Sequence, residues 1–232
     1  MKVADSREKE WLYERGLAFF GKITASVTHE LNNVMSIIEQ VSGLLDDLCS
    51  GAESGRPLDP EKIRGISERI GKQVERGVGI IQRMNRFAHS VDDPVKNVNL
   101  NELTENLVEL SRRFAGLRKL RIEWRPAEVP VQLVSKPFLL EQVLFAGIDA
   151  AMQRSRREGT VWVEVRQDAA GACVGISTET ETAAETEIPH APDSDPAAML
   201  CAALAATLKV GAADGKWNWE LRLPNLSLEV SK

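Results

Sequence analysis

From Phe20 to Leu48 an apolar residue returns at every third or fourth position: Phe20, Ile23, Val27, Leu31, Val34, Ile38, Val41, Leu45 and Leu48. That period marks one face of an α-helix, and no proline interrupts residues 6–49. The stripe predicts a helix of about 40 residues, roughly 60 Å long. A helix has no interior of its own, so something else must cover the stripe. Residues 50–60, SGAESGRPLDP, then gather glycine, serine and proline and read as a loop. Asp59 ahead of Pro60 fits an N-cap followed by proline in the first helical turn. A second stripe comes next, at Ile63, Ile66, Ile70, Val74, Val78, Ile81, Met84 and Phe87 or Ala88. Two amphipathic helices on a short loop make an antiparallel hairpin. One hairpin has too little surface to close a core, whereas two make a four-helix bundle, so this segment predicts a homodimer.

After Asp92-Asp93-Pro94 the pattern changes. Residues 98–100 suit a short strand, and Asn101 is placed to cap a helix reaching Leu117. Residues 120–124 and 129–134 look extended. Residues 136–156 read as a helix with Leu139, Val143, Ala146 or Gly147, and Ala150 on one side. Val161, Val163 and Val165 alternate with Trp162, Glu164 and Arg166, the period of a strand, and residues 172–176 supply a partner across a turn at 169–171. Residues 178–196, TETETAAETEIPHAPDSDP, are acidic and rich in threonine and proline, and read as a mobile loop. A helix over 197–208 and a last strand over 217–223 complete the order, with Gly211 to Gly215 joining helix to strand. Strands and helices mixed in this way predict a two-layer α/β sandwich. The fold class expected is α+β, with a helical hairpin over residues 1–94 and a sandwich over residues 95–232.

Charge narrows the partners. The net charge is −5, from 29 lysines and arginines against 34 acidic residues. With no long basic block there is no electrostatic case for nucleic acid. No stretch of about 18 apolar residues is present to span a membrane, and the polar start lacks the apolar core of a secretory signal. A cytoplasmic protein is expected. Cys49, Cys173 and Cys201 are widely spaced without a CxxC pair, so they read as reduced thiols and not as a zinc site or disulfide framework.

The run TASVTHELNNVMSII, residues 24–38, carries the chemistry. His29 lies two residues after Val27 and two before Leu31, about 200° of helix rotation from each, so it points away from the apolar stripe. Lys22, Ser26, His29, Asn33, Ser36 and Gln40 succeed one another at steps of three and four, a second, polar face on which another protein can reach the imidazole. A neutral imidazole is a good nucleophile near pH 7, with an unperturbed pKa of about 6.5. A carboxylate on its second nitrogen fixes the tautomer and stabilises developing positive charge, a role open to Glu30. Asn33 both donates and accepts hydrogen bonds and suits the orientation of a hydrolytic water. Lys22 is placed to offset phosphoryl charge more weakly. A zinc-protease reading of His-Glu requires a second histidine four residues on, where this chain has Asn33. His89 and His190 read as solvated surface residues.

HELNN, with its GKITASVT lead and apolar continuation, resembles the histidine-containing box of sensor histidine kinases. That resemblance implies a dimeric two-helix phosphotransfer hairpin. It also implies phosphorylation of His29, assistance from Glu30 and phosphatase support from Asn33. Many relatives have proline where this chain has Val34, so the helix is expected to be straighter. The likeness also implies a nucleotide-binding sandwich after the hairpin, and here the match fails. The family's magnesium- and phosphate-holding asparagines after Gln-Val-Leu fall at Ala146 and Ala150, with Asp149 offset. The expected Asp-x-Gly-x-Gly turn is replaced by Thr178-Glu179-Thr180-Glu181, acidic residues that repel a triphosphate. No glycine-rich lid comes after it.

The chain is therefore expected to bind no cofactor and no ATP, and to resemble histidine phosphotransferases built on a degenerate ATPase domain. His29 would exchange a phosphoryl group with the aspartate of a response-regulator receiver domain, with Mg2+ held by that regulator, or take it from a separate histidine kinase. An active kinase with a divergent ATP site is the alternative. So are a non-enzymatic pseudokinase scaffold and a response-regulator phosphatase.

Overall fold

A computed structural model describes residues 2–169, 171–180 and 196–224. Two helices open the chain, α1 (Lys2–Glu53) and α2 (Pro60–Ala88), and a short 3-10 turn (His89–Val91) comes after them. Then come β1 (Lys96–Asn99), α3 (Leu100–Leu117), β2 (Arg121–Arg125), β3 (Gln132–Ser135), α4 (Pro137–Arg154), β4 (Thr160–Asp168), β5 (Gly171–Glu179), α5 (Pro196–Ala203), β6 (Thr207–Ala213) and β7 (Lys216–Leu223). This is the α+β class expected, long helices ahead of a sheet with helices. By compactness the chain falls into two units, Gly21–Asn85 on the one hand and Met1–Phe20 with Arg86–Lys232 on the other. These compact units are drawn differently from a division at residue 94. The reason is aromatic packing: Phe19 and Phe87, at opposite ends of the hairpin sequence, meet edge-on and cluster with Phe138 and Phe145 of α4.

In the helical unit α1 runs further than its stripe predicts, to Glu53. It stops where Gly55 takes a φ of +85°, and the Arg56 N–H reaches back to the Gly51 carbonyl, a left-handed C-terminal closure that glycine favours. Asp59 caps α2 as the sequence indicates, its carboxylate accepting from the Glu61 N–H at 3.0 Å. The helices are antiparallel: Val34 faces Gly77, where an added Cβ would sit 3.4 Å from a Val34 methyl, and Leu44 and Leu48 line a groove with Gly65 and Ile66. The buried side of α2 is Ile66, Gly77 and Ile80, while Val74, Val78 and Ile81 are 46–50 % exposed. The single apolar stripe read from the sequence is thus two faces, one turned inward and one left in water.

In the other unit a five-stranded sheet runs in the order β2-β4-β5-β7-β6. β2 and β4 are parallel and the remaining pairs antiparallel, while β1 and β3 pair separately. One face of the sheet carries the row Val163, Ile176, Trp219, in register across β4, β5 and β7, and all three are buried. Helices α3 and α4 cover that face with Leu107, Leu140, Leu144 and Ile148, none of them exposed. The opposite face is laced with ion pairs, Arg166 to Glu220 at 3.1 Å and Arg222 to Asp168 at 3.1 Å.

Several local expectations are corrected. Asn99, not Asn101, caps α3: its side chain accepts from the Asn101 and Glu102 N–H groups and donates to Glu102 at 2.7 Å, the reciprocal bonding of a capping box. Asn101 instead donates to the Ala127 carbonyl. On α4 the inner side is Leu140, Val143, Leu144, Gly147, Ile148 and Ala151, so Leu139, Ala146 and Ala150 lie off it. The helix expected over 197–208 closes at Ala203, because Ala205 takes a positive φ of 51° and the Ala206 N–H bonds the Cys201 carbonyl. The chain then enters β6, a strand missing from the expectation. Asp214 and Gly215, with φ of 52° and 71°, form the tight turn to β7, so that dipeptide joins strand to strand. The acidic stretch read as a loop begins inside β5, at Thr178 and Glu179. Residues 181–195 lie outside the described residues.

Gly147 sets how closely α4 lies on the sheet. A Cβ there would meet Ile176 at 2.8 Å and the Trp219 ring at 2.9 Å. Gly147→Ala is expected to destabilise the protein by about 1–3 kcal/mol, overpacking outweighing alanine's better helix propensity. The check is a lower denaturant midpoint at unchanged m-value.

Candidate functional site

His29 lies in the middle of α1, in unbroken helix, and is exposed. Asn33, one turn on, is exposed on the same side, as are Lys22, Ser36 and Gln40. Residues four apart on a helix are surface neighbours, so α1 brings His29 and Asn33 together. Glu30 is half-buried and set about 100° around the helix. Among the described residues no hydrogen bond joins it to the imidazole.

Ser26 departs from the expected polar face. It is 3 % exposed, and its hydroxyl has no hydrogen-bond partner. It sits between Ile23 and Val27, both buried, so it falls on the inward side of the helix. Thr28 turns its hydroxyl back to the Thr24 carbonyl at 2.9 Å, which leaves it little to offer a visiting group. Val34, where relatives have proline, is fully buried and faces Gly77. α1 continues through Val34 without a break in its helix.

On α4 the two positions that would hold magnesium and phosphates carry Ala146, exposed, and Ala150, half-buried. Asp149 is engaged: Arg118 donates to it at 2.9 Å and Gln153 at 3.2 Å. At the end of β5 the Thr178 hydroxyl donates to the Thr160 carbonyl at 2.9 Å. Glu179 forms an ion pair with Arg156. The residues standing where a nucleotide-binding turn is expected therefore have partners within the chain.

A polar cluster that the sequence did not bring forward lies where α2 ends. Glu141 of α4 is 3 % exposed, and burial pushes its pKa from 4.5 up to about 8, a shift the Ser90 hydroxyl and the Lys96 ammonium only partly oppose. The Ser90 contribution is a weak one, since neither Ser90 Oγ nor Glu141 Oε2 makes a hydrogen bond of acceptable geometry. Nearby, Arg86 donates to Asn106 at 3.1 Å. The signal was present in the sequence as a glutamate inside the apolar run Phe-Leu-Leu-Glu-Gln-Val-Leu-Phe. Among the described residues no cluster of histidine, cysteine and acidic side chains is arranged to hold a metal ion. No helix there is long and apolar enough to cross a membrane.

No protein-family model matches the chain, and no curated protein matches it. Solved structures do. The Acinetobacter baumannii histidine kinase AdeS is similar over 86 % of this chain and 98 % of its own, at 16 % identity and a TM-score of 0.50. The catalytic domain of the histidine kinase ThkA is similar over 56 % of this chain and 95 % of its own, at 11 % identity and a TM-score of 0.50. The chain has the fold of a histidine kinase core. These likenesses, at 11 and 16 % identity, establish the fold.

Proposed function

We propose that the chain is a phosphorelay protein in which His29 accepts a phosphoryl group and exchanges it with the aspartate of a response-regulator receiver domain, without binding ATP itself. The observation that carries this reading is a contrast inside one chain. The HELNN histidine is open to a partner, while the nucleotide positions of α4 are alanines and the neighbouring Asp149 is occupied by Arg118 and Gln153. In the forward step a ring nitrogen of His29 attacks the phosphorus of the regulator's aspartyl phosphate. The P–O bond breaks, a P–N bond forms, and the aspartate leaves as a carboxylate. The second ring nitrogen keeps its proton and carries the developing charge. Catalysis on this side is positioning and electrostatics. The regulator's own acidic pocket holds the Mg2+. Glu30 is assigned the tautomer-fixing role, which requires a rotamer change on docking. Asn33 is assigned the orientation of water when the acyl phosphate is hydrolysed.

The same proposal includes a homodimer. Val74, Val78 and Ile81 stand at i, i+4 and i+7 on α2, 46–50 % exposed, with Met35 of α1 at 58 %. Apolar residues in a continuous stripe mark an interaction surface, and a second hairpin of the same chain completes a four-helix core. The double substitution Val78→Glu and Ile81→Glu is expected to give a monomer in analytical ultracentrifugation with α-helix content retained.

Incubation with a phosphorylated response regulator is expected to place acid-labile phosphate on the wild-type chain and none on His29→Gln. Absence of label on wild-type His29 with competent regulators overturns the relay. Labelling by ATP alone, without a second kinase, would overturn the nucleotide-free part of the reading. Asn33→Ala is expected to leave transfer to His29 within a few-fold while slowing regulator dephosphorylation about tenfold or more, measured as phosphate release.

A further inference from the structure

The turn after α2 holds a second imidazole, one that phosphoryl transfer at His29 does not use. His89 opens the 3-10 turn His89–Val91, and Asp92 closes it. His89 Nδ1 lies 2.7 Å from Asp92 Oδ2, with the histidine side chain 73 % and the aspartate side chain 58 % exposed. An ionised carboxylate only accepts, so Nδ1 carries the proton and the lone pair belongs to Nε2. No hydrogen bond among the described residues reaches Nε2, which is left to solvent and to visitors. His29 lacks this arrangement, since Glu30 makes no bond to its imidazole. Positive charge also gathers at the turn. Lys96 donates to the His89 carbonyl at 3.4 Å. Arg86, one helical turn before His89, binds the neutral Asn106 amide at 3.1 Å and so retains its charge. α2 ends at Ala88, and a helix C-terminus favours a cationic ring beside it while opposing an anion. Lys96 and Arg86 offset that opposition.

We propose that His89 is a second phosphoryl-accepting histidine, reacting through Nε2 with a small energy-rich phosphoryl donor while Asp92 holds the ring. The Nε2 lone pair attacks the phosphorus. The bond from phosphorus to the donor's leaving group breaks, and the leaving group takes that electron pair. An acyl phosphate thus releases a carboxylate, and phosphoramidate, already protonated on nitrogen, releases ammonia. The phosphoryl group stays on Nε2. Nδ1 keeps its proton, and the Asp92 carboxylate faces the positive charge that the ring gains. Asp92 does not touch the phosphorus and is a positioning residue. The step does not pass through His29, so it stands or falls apart from the relay.

Incubation of the full His29→Gln chain with phosphoramidate, beside N-acetylhistidine amide as an unorganised reference, tests this. Acid-labile phosphate is located by peptide mass spectrometry, and its ring isomer is read by phosphorus NMR. His89 is expected to be phosphorylated at Nε2 alone and about tenfold faster than the reference. Asp92→Ala is expected to bring the rate down to that of the reference and to yield both ring isomers, because the tautomer is then free. Asp93→Ala removes the same charge one residue on, where no hydrogen bond to His89 exists among the described residues, and is expected to change neither. All three substitutions fall on exposed positions, so the fold is retained. A rate at His89 no higher than the reference, phosphate on Nδ1 while Asp92 is present, or an unchanged rate and isomer in Asp92→Ala overturns the proposal. So does an equal loss in Asp93→Ala, which would make nearby charge and not the bond responsible.

Discussion

Five phenylalanine rings do the joining on which the rest of the larger unit depends. Phe19 meets Phe87 edge-on at 5.3 Å and lies 5.7 and 5.3 Å from Phe138 and Phe145. Phe145 reaches on to Phe114 at 5.4 Å. Aromatic pairs at these separations contribute about 0.5–1.5 kcal/mol each beyond the area they bury. The cluster ties the start of α1 and the end of α2 to α3 and α4, so these parts fold as one body with the sheet. It also places the turn 89–91, and with it Ser90 and Lys96, over Glu141.

The sequence made the periodic parts of this fold legible. The stripe of α1, the Asp59-Pro60 start of α2 and the alternating valines of β4 each arise from local spacing, and each has its place in the structure. Less legible were features decided by tertiary partners. The α2 stripe looked like one face because Val74, Val78 and Ile81 share helical spacing with residues that the chain buries. Only the position of α1 separates them. Ser26 looked polar and outward because its spacing from His29 is helical, but the neighbouring Ile23 and Val27 carry it inward. β6 is hard to read from sequence although Asp214-Gly215 is a strong hairpin signal: the alanine-rich run before it favours helix, and that local preference masks the Thr-Leu-Lys-Val alternation.

Of the candidate site, the residue types and their shared side were readable in advance and the geometry was not. His29 and Asn33 are one turn apart by spacing alone. That Glu30 leaves the imidazole unbonded, and that Asp149 is tied to Arg118 and Gln153, needed side-chain positions. A glutamate in an apolar run was visible, yet whether such a group snorkels to water or stays buried is set by what closes over it. Here the turn after α2 does so.

The exposed stripe on α2 has a meaning beyond stickiness. Val74, Val78 and Ile81 are interleaved with Lys72, Glu75 and Arg76, which are also exposed. Charges on the rim keep a lone copy in solution and make misplaced contacts expensive. An apolar helix laid along the stripe in phase meets three aliphatic side chains, whereas one rotated by a single residue must desolvate a lysine, a glutamate or an arginine. In the proposed homodimer the stripe would thus work as a ruler as well as a surface, admitting the second hairpin in one register and turning away the adjacent ones.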